Sequence, residues 1–188
     1  MSLSVCVFCT SSSQIDPAYL RLAEEVGTEL ARRGCSLVSG GAVLSCMGAV
    51  AQAARTAGAR TVGVIPEVMV HVEIADLDND ELVVTSDMRS RKAEMERRAD
   101  AFLVLPGGLG TLEELTEIWT ARSLGLVDKP LVVLDPYGFY DRLRAFVDHL
   151  VDKGFASAAM RDAIGWTTSV TEAFDVLQHA ERRDLAKA

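Results

Sequence analysis

Two charged residues stand out for the company they keep. Glu114 follows Pro106-Gly107-Gly108-Leu109-Gly110-Thr111-Leu112-Glu113, a run with three glycines in four residues. Arg91 precedes Lys92 in a charge-rich segment just upstream. A carboxylate beside a glycine-rich turn can stabilise developing positive charge or activate a water. An arginine cannot act as a general acid, because its pKa stays above ~12, so its chemistry is to hold negative charge and orient a ligand. Each residue also has a plainer reading. Thr111-x-x-Glu114 fits the capping-box pattern of a helix start, and Arg91 could lie on a solvated helix face, where Glu94 and Glu96 can pair with it or with Lys92 at helical spacing.

The elements around Glu114 suggest what the turn is for. Ala101 to Leu105 is an apolar run that reads as a buried strand, ended by Pro106. Thr111 reads as the start of a helix whose apolar positions, Leu112, Leu115, Ile118 and Trp119, have helical spacing. A strand, a glycine turn and a helix N-terminus gather backbone N–H groups and the positive end of a helix dipole, a setting for an anion and most often a phosphate. Glycine permits close backbone approach there. The turn is not the usual dinucleotide loop, since Glu113 stands where a third small residue belongs, and no Gly-Lys-Ser/Thr follows to make a P-loop. Met88 and Met95, one heptad apart, fit core packing or the wall of a base pocket.

The remaining segments alternate. Leu3 to Cys9 reads as a strand and Thr10 to Ser13 as a polar turn. Asp16-Pro17 starts a helix that ends at Gly34. Leu37-Val38 is a short strand, Ser39 to Ala42 a turn, and Cys46 to Ala57 a helix stopped by Gly58. Thr61 to Ile65 is a third strand, and residues 66–80 form an acidic connection without a clean period. Leu82 to Thr85 is a fourth strand, followed by a helix over Met88 to Ala99. After the central motif come a strand over Leu131 to Leu134, a helix from Tyr140 to Lys153 and a last helix from Thr168 to Ala180. This alternation predicts an α/β fold, a single-domain, Rossmann-like, doubly wound parallel sheet flanked by helices, over residues 1–180 with a polar tail at 181–188. In such sheets ligands bind beyond the carboxyl ends of the strands, where the strand order reverses. The turns at Thr10–Ser13, Ser39–Ala42 and Pro106–Thr111 are expected on that edge, which makes Ser12, Gly41 and Gly107 further candidates for ligand contact.

Composition narrows the classes. The net charge of −8, from 27 acidic against 19 basic residues, argues against a nucleic-acid partner. No apolar run approaches the ~20 residues of a membrane span, and the start of the chain lacks a signal pattern, so the expected location is cytoplasmic. Cys6-Val7-Phe8-Cys9 has C-x-x-C spacing, but in a strand positions three apart face opposite ways, so buried reduced thiols are expected. His71, His149 and His179 show no metal-like spacing. No metal or cofactor is expected, and no stretch suggests the lysine site of a pyridoxal-phosphate enzyme.

Pro106-Gly107-Gly108-Leu109-Gly110-Thr111-Leu112-Glu113-Glu114 matches P-G-G-x-G-T-x-x-E, and Met88-Arg89-Ser90-Arg91-Lys92 matches M-x-x-R-K. Together, in this order, they resemble the Lonely Guy (LOG) family, cytokinin riboside 5′-monophosphate phosphoribohydrolases formerly labelled lysine decarboxylases. The resemblance covers about residues 3–178. It implies hydrolysis of the N-glycosidic bond of an adenosine 5′-monophosphate, N6-substituted or plain, and a homodimer, for which Trp119 and Leu126 offer apolar contact unless both belong to the monomer core. It also implies Arg91 and Glu114 as the catalytic pair, with Glu73, Lys92, Gly108, Gly110, Thr111 and Thr120 at substrate-binding positions; Met88, from its spacing, joins them as a candidate for binding substrate. A non-catalytic nucleotide carrier on the same fold is the alternative. The departures cluster in one place: Ala42 ends a turn that is usually all glycine, Ser45-Cys46-Met47-Gly48 stands for G-L-M-G, and Thr10 occupies a position that is often glycine.

Overall fold

The computed structural model describes residues 2–70 and 75–185. In chain order the elements are β1 (Ser4–Phe8), α1 (Pro17–Arg32), β2 (Ser36–Ser39), α2 (Ser45–Thr56), β3 (Thr61–Pro66), β4 (Glu81–Thr85), α3 (Met88–Arg98), β5 (Ala101–Val104), α4 (Leu109–Ser123), β6 (Leu131–Leu134), α5 (Asp141–Asp152), α6 (Ala158–Arg161), β7 (Gly165–Thr167) and α7 (Val170–Leu185). A 3₁₀ turn, Glu67–Met69, follows β3.

The local chemistry accounts for most boundaries. Asp16 caps α1 by accepting from the Ala18 N–H at 2.8 Å, with Pro17 preorganised at the first helical position. Asp87 caps α3 through the Ser90 N–H, also at 2.8 Å. Gly34 and Gly58, at φ +68° and +93°, turn the chain after α1 and α2.

The seven strands form one parallel sheet in the order β4-β3-β2-β1-β5-β6-β7. The chain winds outward from β1 to β4, returns through α3 to place β5 beside β1, and winds outward again. The order therefore reverses between β1 and β5, where Phe8 aligns with Val104 at the strand ends. Apolar cores fill both faces. One packs Val5, Val7, Leu37 and Leu103 against α1, α2 and α7; the other packs Cys6, Phe102, Val104 and Val133 against α3 and α4. Cys6 and Cys9 fall in opposite cores, as strand geometry requires, and all four cysteines are buried. Burial, the largest influence on both, pushes their thiols well above the usual range.

Several expectations shift. α4 begins at Leu109, two residues ahead of Thr111, and its N-cap is Gly108. Two short elements, α6 and β7, occupy a stretch that gave no sequence signal, and α7 runs Val170–Leu185. Trp119 lies in the chain's own core: it is 8% exposed, its indole N–H donates to the Met160 carbonyl at 2.7 Å, and its ring meets Trp166 edge-on. Leu126 is exposed. Among the described residues no helix is long and apolar enough to cross a membrane.

Candidate active site

Beyond the ends of β1 and β5 lies a cavity of about 370 Å³. Its walls come from four places in the chain. The β1 end and following turn give Phe8, Cys9, Thr10 and Ser12; the β2–α2 region gives Gly40 and Met47; α3 gives Met88, Arg91 and Met95; and the turn into α4 gives Gly108, Gly110, Thr111, Glu113 and Glu114. The two charged residues singled out from sequence thus meet in one cavity, although they come from different helices.

Arg91 is far from a solvated helix face. It is 5% exposed. Its Nε donates to the Val64 carbonyl at 3.0 Å and its Nη2 to the Gly40 carbonyl at 3.1 Å, while Nη1 lies 3.7 Å from the Met88 sulfur. The guanidinium is therefore anchored to β3 and to the end of β2, a rigid mount for a positive charge. Gly40 is what makes room: a Cβ there would stand 2.0 Å from Arg91 Nη2. Nothing in the sequence flagged Gly40 as a seat for Arg91. Glu94 instead pairs with Arg97 and Arg98, which hold its carboxyl down at about 2.

The glycine turn presents the start of α4. Its N-cap, Gly108, offers no side-chain hydrogen bond to the first turn, in contrast to Asp16 and Asp87 on α1 and α3. A Cβ at Gly108 or Gly110 would meet no heavy atom within 4 Å. The protein's own packing therefore does not demand glycine at these two positions, and both leave the backbone open to close approach from the cavity. Gly107 is different, because a Cβ there would collide with the Thr111 side chain. It lines an adjoining hollow of about 240 Å³ with Tyr19 and Phe139, which shares Thr10, Ser12 and Gly108 with the main cavity.

With Gly108 as the N-cap, Thr111 is the third residue of α4 and Glu114 the sixth. The capping-box reading of Glu114 fails, because that pattern needs the threonine at the N-cap itself. Glu114 is half-buried at the cavity wall, close enough to Cys6 and Cys9 to disfavour their thiolates. Met88 and Met95 both line the cavity, and Met95 is also core, so the two sequence readings of this pair coincide.

Other candidates are placed elsewhere. Lys92 does not line the cavity; it bridges α3 to α4 through Glu113 and Glu117, the latter at 2.8 Å. Burial works against its charge, but these two carboxylates outweigh that and raise its pKa. Thr120 lines two other hollows, one between α4, α5 and α6 and one along α4. Gly41 does not line the cavity: its φ of +74° turns the chain after Gly40, and its carbonyl accepts from the Asp76 N–H at 2.8 Å. Glu73 falls outside the described residues. Ser45, one of the departures, is the one non-glycine residue with positive φ among those described, at 49°, and its hydroxyl donates to the Ser12 carbonyl at 2.6 Å. That bond ties the first residue of α2 to a residue of the cavity wall. Among the described residues no cluster of three His, Cys, Asp or Glu side chains is arranged to hold a metal.

The chain as a whole also resembles known proteins. The family model described as possible lysine decarboxylase matches residues 47–177. A Mycobacterium marinum protein named cytokinin riboside 5′-monophosphate phosphoribohydrolase is 53% identical over 154 residues, 82% of each chain. A Mycobacterium tuberculosis protein of the same name is 49% identical over 170 residues, 90% of each. Among solved structures, the Moco carrier protein from Chlamydomonas reinhardtii superposes with a TM-score of 0.73 at 20% identity, covering 97% of this chain and 99% of that one. At that identity the likeness speaks for the fold alone.

Proposed function

The chain belongs to the family covered by the possible-lysine-decarboxylase model, that of the LOG phosphoribohydrolases, and on that premise we propose that the cavity at the β1–β5 switch point is where it hydrolyses a nucleoside 5′-monophosphate. The reaction cleaves the N-glycosidic bond of a cytokinin riboside 5′-monophosphate, giving free base and ribose 5-phosphate. The observation that carries the site assignment is that Arg91, Glu114 and the start of α4, which has no side-chain cap, converge on one cavity.

The phosphate sits at the N-terminus of α4, held by backbone N–H groups of its first turn, with Thr111, Thr10 and Ser12 alongside. The ribosyl ring then lies against Glu114. As the glycosidic bond breaks, positive charge grows on that ring in an oxocarbenium-like transition state. The Glu114 carboxylate stabilises it and orients the attacking water. The base lies toward Met47, Met88 and Met95, and the fixed Arg91 guanidinium orients the nucleotide without passing a proton.

The decarboxylase description does not fit this cavity. Pyridoxal-phosphate chemistry needs a lysine at the reacting centre, and no lysine is among the lining residues; Lys92 is committed to two glutamates and Lys129 donates to the Glu96 carbonyl. A carrier without turnover needs the glycine turn but has no use for Glu114 beside it. Incubation with AMP and with isopentenyl-AMP, followed by chromatography for released base, tests the function and ranks the two bases. The working unit is a homodimer, and a 20.3 kDa particle by light scattering at micromolar concentration contradicts that.

A further inference from the structure

The turn that receives the phosphate is itself held from behind. Leu105 and Pro106 lie past the last residue of β5, and both are buried. The Leu105 N–H still reaches the Phe8 carbonyl at 2.9 Å. Its carbonyl accepts from the Tyr140 hydroxyl, also at 2.9 Å. Pro106 has no N–H to contribute, so the path from strand to glycine turn has few backbone anchors of its own.

Tyr140 is well fixed for such a task. It is 2% exposed, stacked edge-on against Phe139 and Trp166. Its backbone is set by Asp135 at the end of β6, whose carboxylate accepts from the N–H groups of Tyr137, Phe139 and Tyr140 at 3.3, 2.9 and 2.7 Å. Burial, the largest influence, pushes the phenol well above its usual pKa, so it stays protonated and keeps its donor; the Gly107 N–H acts on the same oxygen in the opposite sense. One hydroxyl thus bears on the residues on both sides of Pro106. Tyr140 touches no part of the cavity.

We infer that Tyr140 is a positioning residue for phosphate: its hydroxyl, set in place by Asp135, fixes the Leu105–Gly107 segment and so aims the N–H groups at the start of α4. The inference rests on the phosphate placement given above. It predicts a selective effect, because loosening the turn should weaken whatever the turn holds and leave the base side of the cavity alone.

The test is calorimetric titration of the full chain with two separate probes, ribose 5-phosphate and adenine. Tyr140→Phe keeps the ring in the core and removes only the hydroxyl. The expected result is ribose 5-phosphate binding about tenfold weaker, the scale of one lost buried hydrogen bond, with adenine affinity within about twofold. Unchanged ribose 5-phosphate affinity overturns the inference, as does an equal loss for both probes, which marks a general loosening of the core. Wild-type protein that fails to bind ribose 5-phosphate overturns the phosphate placement itself, and that outcome is seen before any variant is made. Should Tyr140→Phe not yield folded protein, Asp135→Asn decides in the same way: its amide oxygen covers only part of the three N–H groups, and ribose 5-phosphate should again weaken selectively, by about threefold.

Discussion

Replacing Glu114 by Gln separates charge from shape. The helix frame makes the comparison clean: Gly108 is the N-cap, and Glu114 lies beyond the first turn of α4, so the change removes no cap. Gln fills the same half-buried space at the cavity wall. A stability change below about 1 kcal/mol is therefore expected, as for substitutions away from caps and core. The catalytic cost should be much larger, because a neutral amide neither stabilises a cationic ribosyl ring nor takes a proton from water. A fall in kcat of ~100-fold or more, close to ~2.7 kcal/mol of transition-state energy, is the expected scale. The assay is base release from saturating AMP, with thermal unfolding and AMP titration on the same preparation. Glu113→Gln is the control: Glu113 is exposed and pairs with Lys92, a contact worth about 1 kcal/mol at most, and most activity should survive. A Glu114→Gln protein that turns over AMP at near wild-type rate refutes the electrostatic role.

Three further outcomes follow from the same geometry. Gly110→Ala should unfold at the same or a higher temperature, since Ala gains up to ~1 kcal/mol over Gly in a helix and its Cβ has open space, yet its KM for AMP should rise by roughly tenfold because the methyl enters the phosphate approach; unchanged KM contradicts the placement. Arg91→Lys exchanges a planar fork, whose Nε and Nη2 donate to the Val64 and Gly40 carbonyls, for a single ammonium of different shape, so stability should fall by ~2 kcal/mol and kcat/KM by ~30-fold or more, read by denaturant titration and steady-state kinetics. Glu94, held at about 2 when folded against 4.5 ordinarily, favours the folded state above pH 4.5 and loses that contribution as pH falls toward 2. Glu94→Gln should flatten the drop in unfolding temperature between pH 5 and 2 relative to wild type, by no more than the ~1 kcal/mol of a partly exposed pair, and identical pH curves contradict it.

Much of the fold was written locally. Asp16-Pro17 and Asp87 are caps whose side chains announce a helix start, and the C-x-x-C spacing in β1 already implied thiols on opposite faces. The start of α4 was misplaced because a glycine N-cap leaves no side-chain mark, while Thr111 imitates one. β7 went unseen because its three residues are too few to show a period. Lys92 and Arg91 are neighbours on α3, but the helix turns one toward Glu113 and Glu117 and the other into the cavity. Sequence spacing cannot tell which one meets a carbonyl from β2 and β3. Trp119, apolar at helical spacing, was equally suited to an interface or a core, and only the Met160 carbonyl and Trp166 settle it.

The central claim is that the start of α4 holds a 5′-phosphate while Glu114 serves the glycosidic bond. The most direct measurement is kcat/KM for AMP against adenosine, with both products quantified. Release of base and ribose 5-phosphate in equal amounts, with adenosine at least ~100-fold poorer for want of roughly two charge-assisted hydrogen bonds, is the predicted result. Equal efficiency for the two substrates, or inorganic phosphate released in place of base, contradicts it.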